Sequence, residues 1–394
     1  MSFDGFWGEL ERPIIGLAPM DGVTDAAFRY MVAKHGKPSV VYTEFTNVEG
    51  LARGAVKLLP AFFYDEIERP IVAQIFGVEV DSFYKSAVML CEMGFDGIDI
   101  NMGCPVKTVA ARGGGAGLIK TPDLAKQIIR SVKRGVEDWV NGMTMEQAGV
   151  HEDIIANIAS CANGIEMKHA GACKNIVGKL QERKKDVPGD GSSHKQQGGK
   201  TKKYDRSFSE NVRSHKQRRA VPVSVKTRTG YDEVIAKEWV NVLLEERPAA
   251  ICMHGRTLKQ MYGGEADWEV LKGPAASCRE NNVAFLGNGD VRSIKEACEK
   301  AEKYELDGVL IGRASLGNPW FFIGKEPSVE ERILAVKEHC DNFERIFGDK
   351  LPFHTIKKHL AWYLKGFEGV KEVRMRLMMS QSFEEVHKIL EEIS

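Results

Sequence analysis

Residues 94–108, GFDGIDINMGCPVKT, place a single cysteine where an apolar run stops. Ile98 and Ile100 alternate with Asp99 and Asn101 as a short strand requires. Gly103 and Pro105 end the pattern, because glycine accepts left-handed backbone angles and proline removes a donor. The thiol of Cys104 is therefore expected on a turn at the C-terminal end of a strand. The commoner fate of a cysteine, a small buried hydrophobe, explains neither the turn nor the position.

Two further stretches have the composition of an anion cradle. GNGDV (287–291) and IGRASLGNP (311–319) are glycine-rich turns after apolar runs, with Ser293 and Ser315 placed to open helices behind them. Glycine lets backbone N–H groups approach a phosphate, a helix N-terminus favours negative charge, and Arg313 adds a guanidinium fork. Lys226 in VKTRTG and His254 in MHGRT also stand at the ends of apolar runs. Lys226 suits the electron-rich edge of a reduced flavin, and Gln74 the hydrogen-bonding edge of the same ring. Taken singly, Lys226 reads as a salt-bridge partner and His254 as a satisfied buried histidine. Together they describe a flavin mononucleotide (FMN) site without a Rossmann fingerprint, since no strand-linked GxGxxG is present.

The elements that must hold these side chains recur regularly. Apolar strand patterns fall at 13–18, 38–44, 70–76, 97–101, 221–226, 249–254, 283–288 and 308–312. Helical spacing runs from Thr24 to His35, Asp81 to Met93, Pro122 to Lys133, Glu233 to Glu246 and Ser293 to Ala301. Near-continuous apolar strands alternating with helices mean a parallel sheet covered on both faces, and eight such units mean an α/β fold, a (β/α)8 TIM barrel. Each strand ends in polar or glycine-rich chemistry: Pro19, Met20 and Asp21; Glu44; Gln74; Asn101 and Cys104; Lys226 and Arg228; His254 and Arg256; Asn288, Gly289 and Asp290; Gly312 and Arg313. In a barrel these ends converge on one face, where active sites of this fold sit.

The chain has 394 residues, 43% of them hydrophobic, and a formal net charge of zero. No run approaches the ~20 apolar residues of a membrane span, and the N-terminus lacks a signal-peptide pattern, so a cytoplasmic protein with no membrane partner is expected. Eight scattered cysteines without a CxxC are expected to be reduced. The barrel is expected to occupy 1–134 and 220–326, with an insertion at 135–219 between the fourth helix and the fifth strand. The insertion reads as helical at first, then as Gly/Ser/Lys-rich and mobile. Lys179 to Arg219 contains thirteen Lys or Arg against five Asp or Glu, a surplus of eight positive charges that points to a polyanion. His151, Cys161, His169 and Cys173 fit no standard zinc spacing and read as spectators. Residues 327–394 are expected to be all-helical, at 329–347, 352–365, 370–378 and 383–393, with Lys357, Lys358, Lys365, Lys371, Arg374 and Arg376.

In order along the chain, APMDGVTD, TEF, VAQIFG, DGIDINMGCPVKT, GAGLIK, VKTRTG, MHGRTLKQMYGGEADW, GNGDV and IGRASLGNPW resemble the flavin-dependent tRNA-dihydrouridine synthases, and most of all their bacterial members. IKKHLAWYLKGFEG resembles their C-terminal helical domain. The resemblance covers 11–134 and 220–394 and leaves the insertion without a counterpart. It implies reduction of a uridine in tRNA to 5,6-dihydrouridine, with hydride from N5 of reduced FMN to C6, a proton from Cys104 to C5, and NADPH or NADH as reductant. A proton donor must be a neutral thiol, so Cys104 should not be strongly depressed. Carried over by motif, Pro19, Met20, Asp21, Gln74, Lys226 and His254 surround the ring, and Asn288, Gly289, Asp290, Gly312 and Arg313 hold ribityl and phosphate. Asn101 and Arg228 face the uracil, and Arg112, on the glycine loop after Cys104, is placed to take a phosphate or the base, although RGGGAG carries one glycine more than the family's pattern. The basic tail implies tRNA as partner, gripped through phosphates by a monomer.

Two rival readings share these residues. A dihydroorotate dehydrogenase-like enzyme would use the barrel and FMN on a free pyrimidine, and INMGCP and the helical tail argue against it. A non-catalytic tRNA-binding protein would need neither Cys104 nor a flavin constellation.

Overall fold

In a computed structural model, which describes residues 4–164 and 218–393, the alternating runs close into a parallel barrel. Its strands are β1 (Ile14–Leu17), β2 (Val41–Tyr42), β4 (Ile71–Phe76), β5 (Gly97–Met102), β6 (Val223–Arg228), β7 (Ala250–His254), β8 (Ala284–Asn288) and β9 (Gly308–Ile311). The pairing of β1 with both β9 and β2, and of β2 with β4, closes the ring. A short β3 (Thr46–Asn47) lies beside the outer half of β4.

The second strand is shorter than its apolar pattern. It breaks after Tyr42 because the Thr43 hydroxyl accepts the backbone N–H of Gln74 at 3.0 Å, and the chain rejoins β4 only at Thr46. The fourth helix runs further than Lys133, from Pro122 to Val140, since Val136 and Trp139 continue its buried stripe. Residues beyond 134 also pack on the barrel: Met145, Ala148, Val150, Ile154 and Ile158 belong to the main core. The rest of the expected insertion, with His169, Cys173 and most of the basic run, lies outside the described residues.

Alternation along each strand sorts the side chains into layers. Trp7, Ile14, Val72, Ala250, Ala284 and Leu310 fill the barrel axis low down. Polar side chains from Gln74, Asn101, Lys226 and Asn288 meet above them.

The tail is helical over Val329–Phe347, Lys357–Tyr363, Val370–Met379 and Phe383–Glu391. The second of these is shorter than its pattern, because Phe353–Thr355 forms a separate 3-10 turn after Pro352. Val336, Phe343, Leu360, Leu377 and Leu390 share one core with Ala26, Ala27 and Met31 of the first barrel helix. That helix is capped by Asp25, whose side chain accepts from Phe28 N, whereas the Thr24 hydroxyl bonds to Met20. Among the described residues no helix is long and apolar enough to cross a membrane.

Candidate active site

The C-terminal ends of the strands surround a cavity of about 470 Å³, within the usual range for a cofactor site. Pro19, Met20, Asp21, Gln74, Asn101, Cys104, Lys226, Arg228, His254, Asn288, Gly289, Asp290, Gly312 and Arg313 all line it. Arg112 does not. Its side chain is exposed and borders a separate cavity with Arg53, Glu79 and Thr108, because the short helix Lys107–Ala111 carries it away from Cys104.

Cys104 is held on three sides. Asn101 Oδ1 accepts the N–H groups of Gly103 and Cys104 at 3.0 and 2.8 Å. Arg228 Nε donates to the Gly103 carbonyl at 2.8 Å, and Ala116 N donates to the Cys104 carbonyl at 3.2 Å. A side chain at Gly103 would press on the Thr227 backbone at 3.2 Å, which explains the glycine before the cysteine. Cys104 is 5% exposed. Burial pushes its pKa above the ordinary value and nearby Asp21 adds to this, against the Val106 N–H and the cations Arg228 and Lys226. The arrangement keeps a proton on sulfur and does not prepare a nucleophile.

Asn101 and Arg228 thus face the cysteine loop. Asn101 also donates to Gln74 Oε1 at 3.0 Å, and Arg228 Nη1 donates to the carbonyls of Thr257 and Met261. Side chains expected to meet a substrate have become supports, although both still border the cavity.

Lys226 Nζ reaches Asn288 Oδ1 at 3.2 Å, and burial lowers its pKa. His254 Nδ1 is buried with no hydrogen-bond partner among the described residues. Burial and the neighbouring cations hold that ring at a pKa of about 2, so it is neutral. Among the described residues Lys226 keeps one hydrogen-bond partner, so its ammonium has N–H groups left on this side of the cavity.

The anion end differs from the expected cradle. Asp290, at φ +52°, does not face outward: it accepts from Arg313 Nη2 at 2.9 Å, from Arg256 Nη2 and from the Ala266 N–H. Its carboxylate anchors two arginines, of which Arg256 is fully buried and Arg313 exposed. Ser315 opens no long helix. It lies buried in the 3-10 turn Arg313–Ser315 and donates to the Gly312 carbonyl. Backbone at Gly289 and Gly312 and the Arg313 guanidinium remain as the anion-facing groups.

Tyr262 and Trp362 line the cavity without having been singled out. Arg313 lies over the Tyr262 ring at 5.4 Å, within MYGG, a stretch whose aromatic was the available signal. Trp362 comes from the tail, and nothing in its local spacing announces the reach. In that tail Lys365 pairs with Glu326, Arg376 with Glu392, and Arg374 with the Leu364 carbonyl. Among the described residues no group of three His, Cys, Asp or Glu is placed to hold a metal ion.

The chain matches the family described as dihydrouridine synthase (Dus) over residues 16–167 and 188–394. It is similar to the "Probable tRNA-dihydrouridine synthase" of Staphylococcus aureus strain MRSA252, 31% identical over 399 aligned positions that cover 99% of this chain and 95% of that protein. To the "Probable tRNA-dihydrouridine synthase 2" of Bacillus subtilis strain 168 it is 29% identical, with 99% and 96% covered. A solved structure of DHODH from Eimeria tenella aligns over 84% of this chain and 82% of that one, at 11% identity and a TM-score of 0.41.

Proposed function

The chain belongs to the dihydrouridine synthase family of oxidoreductases, and from that premise we propose that it reduces a uridine of tRNA to 5,6-dihydrouridine with FMN as its cofactor and NAD(P)H as reductant. What supports this reading is one constellation: Cys104, whose thiol burial keeps protonated, lines the same cavity as Lys226 and the neutral His254.

FMN fits these residues. Lys226, His254 and the remaining N–H of Gln74 offer donors to the polar edge of its ring, and Pro19 and Met20 offer an apolar wall. Gly289, Gly312 and Arg313 would hold its phosphate, with Asp290, itself held by Arg256, fixing Arg313 in place. Bound there, FMN supplies the hydride that uracil takes at C6.

The chain supplies the rest. Cys104 Sγ gives a proton to C5, and burial keeps that proton on sulfur until it is needed. Asn101 and Arg228 hold the loop so that the thiol faces the cavity. The base must leave its stack to reach Cys104 inside this cavity, so the substrate is an unpaired or flipped uridine. Lys357, Lys358 and Lys371 on the tail grip tRNA phosphates, with the salt dependence that implies.

The test is a visible spectrum of the purified protein, then dihydrouridine formation in unmodified tRNA with NADPH, wild type beside Cys104→Ala. A yellow protein that forms dihydrouridine, with a variant still reduced by NADPH but inactive on tRNA, is the expected result. Flavin with activity only on a free pyrimidine would transfer the reading to a dihydroorotate dehydrogenase-like reaction. Protein that neither carries nor accepts FMN would end the enzymatic reading.

A further inference from the structure

Asp99 is fully buried on β5 and is not among the residues lining the cavity. Its Oδ1 accepts from Ser224 Oγ at 2.6 Å and its Oδ2 from Gln74 Nε2 at 2.7 Å. An ionised carboxylate only accepts, so Gln74 must turn its nitrogen toward Asp99 and its oxygen away. That oxygen accepts from Asn101 Nδ2 at 3.0 Å. Asn101 is thereby turned with Oδ1 toward the N–H groups of Gly103 and Cys104. Either amide, flipped, would set donor against donor. The direction of the whole series is fixed at its buried end. Burial pushes the Asp99 pKa up to about 6, against hydrogen bonds from Ser224 and Gln74, which leaves a carboxylate at neutral pH.

We propose that Asp99 is a positioning residue for proton donation, aiming the Cys104 thiol through Gln74 and Asn101 without touching the cavity. The step the thiol performs rests on the functional reading above; its aim is a property of the chain.

Asp99 also faces the Lys226 ammonium electrostatically, so losing it removes a charge as well as an acceptor. Two variants separate these effects. Asp99→Asn and Asp99→Leu both delete the charge, but the asparagine amide can still turn its oxygen to Gln74 and its nitrogen to the Ser224 hydroxyl. In single turnovers of pre-reduced enzyme with tRNA, Asp99→Leu is expected to lose about 100-fold, the scale of an ångström's misplacement. Asp99→Asn should stay within about fivefold; because Gln74 and Lys226 would also border the flavin, flavin reduction by NADPH should fall in Asp99→Leu as well, but by at least about tenfold less than turnover does. Equal losses in the two variants would overturn the proposal, as would an equal loss in flavin reduction.

Because Asp99→Leu risks misfolding, a second comparison inverts the donor. Gln74→Glu sets two carboxylates against each other, and adding Asp99→Asn restores a donor between them while keeping an acceptor toward Asn101. Turnover should fall in the single variant and recover at least about tenfold in the double. A double variant no better than the single would overturn the proposal.

Alkylation of Cys104 by iodoacetamide, mapped by peptide mass in protein without substrate, reports the aim of the thiol whether or not tRNA is reduced. It should accelerate at least about fivefold in Asp99→Leu, as the loop loosens, and stay within about twofold in Asp99→Asn. Unchanged alkylation in Asp99→Leu would overturn the proposal. Wild-type protein inactive on tRNA with the alkylation pattern intact would instead overturn only the functional reading.

Discussion

Arg228 on β6 donates Nε to the carbonyl of Gly103 at 2.8 Å, so the loop that carries Cys104 hangs from the neighbouring strand. The same guanidinium holds Thr257 and Met261 in the loop after β7, tying the loops after β5 and β7 together. A lysine places its three N–H donors on one compact ammonium in place of a planar fork and cannot span both. Arg228→Lys should therefore lower tRNA turnover by about 10- to 100-fold, while the protein retains flavin. Rates and flavin content measured on the same preparation check this; unchanged turnover would leave Arg228 as packing alone.

The pH dependence of turnover follows from the same loop. The active form of a proton donor is the protonated one, and burial raises the Cys104 pKa above its ordinary 9.0. Turnover of pre-reduced enzyme should therefore fall with rising pH along a limb whose midpoint lies above pH 9. A thiol poised as a nucleophile would show the opposite limb, rising with pH through the neutral range. Single-turnover rates across pH 6 to 10, corrected for tRNA binding, distinguish the two.

Much of this site was legible because barrel strands announce their own ends. Gln74, Asn101, Lys226, His254 and Asn288 each close an apolar run, and a parallel barrel has only one face on which such ends can meet. Partners were less legible. Whether Arg228 meets a ligand or the Gly103 carbonyl depends on a neighbour 125 residues away, which no local pattern encodes. Asp290 looked like part of an anion cradle because it follows a glycine, yet its carboxylate binds the two arginines beside it. Arg112 lies outside the cavity because a short helix, not an open loop, follows Cys104. Trp362 went unseen because it reaches the cavity from a different core.

Beneath that core, Asp25 caps the first barrel helix and lies 3.6 Å from His359 of the tail, both nearly inaccessible to solvent. Burial raises Asp25 to about 6, despite the Phe28 N–H and Arg29. Its folded pKa exceeds the ordinary 3.8, so the folded state holds the proton more tightly than the unfolded one between those values. Stability is consequently lost as pH rises from about 4 to about 6, by roughly 2 kcal/mol. Asp25→Asn preserves a capping side chain but has no charge to bury. It should be more stable than wild type at pH 7.5, with the difference shrinking toward pH 4. Denaturant unfolding at both pH values measures this, and a destabilised variant at pH 7.5 would mean that the ionised carboxylate is compensated across the seam.

Gly317 marks where the barrel gives way to the tail, and its backbone sits at φ +66°. A Cβ there would lie within 2.0 Å of the Trp362 carbonyl oxygen. The clash is with backbone, which no rotamer change relieves, and the left-handed angle adds its own penalty for a side chain. Arg332 compounds the constraint, donating to the carbonyls of both Gly317 and Tyr363 and so clamping the two segments face to face. Gly317→Ala should therefore cost about 3 kcal/mol or more, seen as a lowered Tm. The displaced segment carries Trp362, which lines the cavity. The same variant, assayed below its Tm, should bind and reduce tRNA poorly while its barrel still takes up FMN. Wild-type stability in this variant would mean that the tail is free to shift away from the barrel, and the cavity wall formed by Trp362 would then be adjustable.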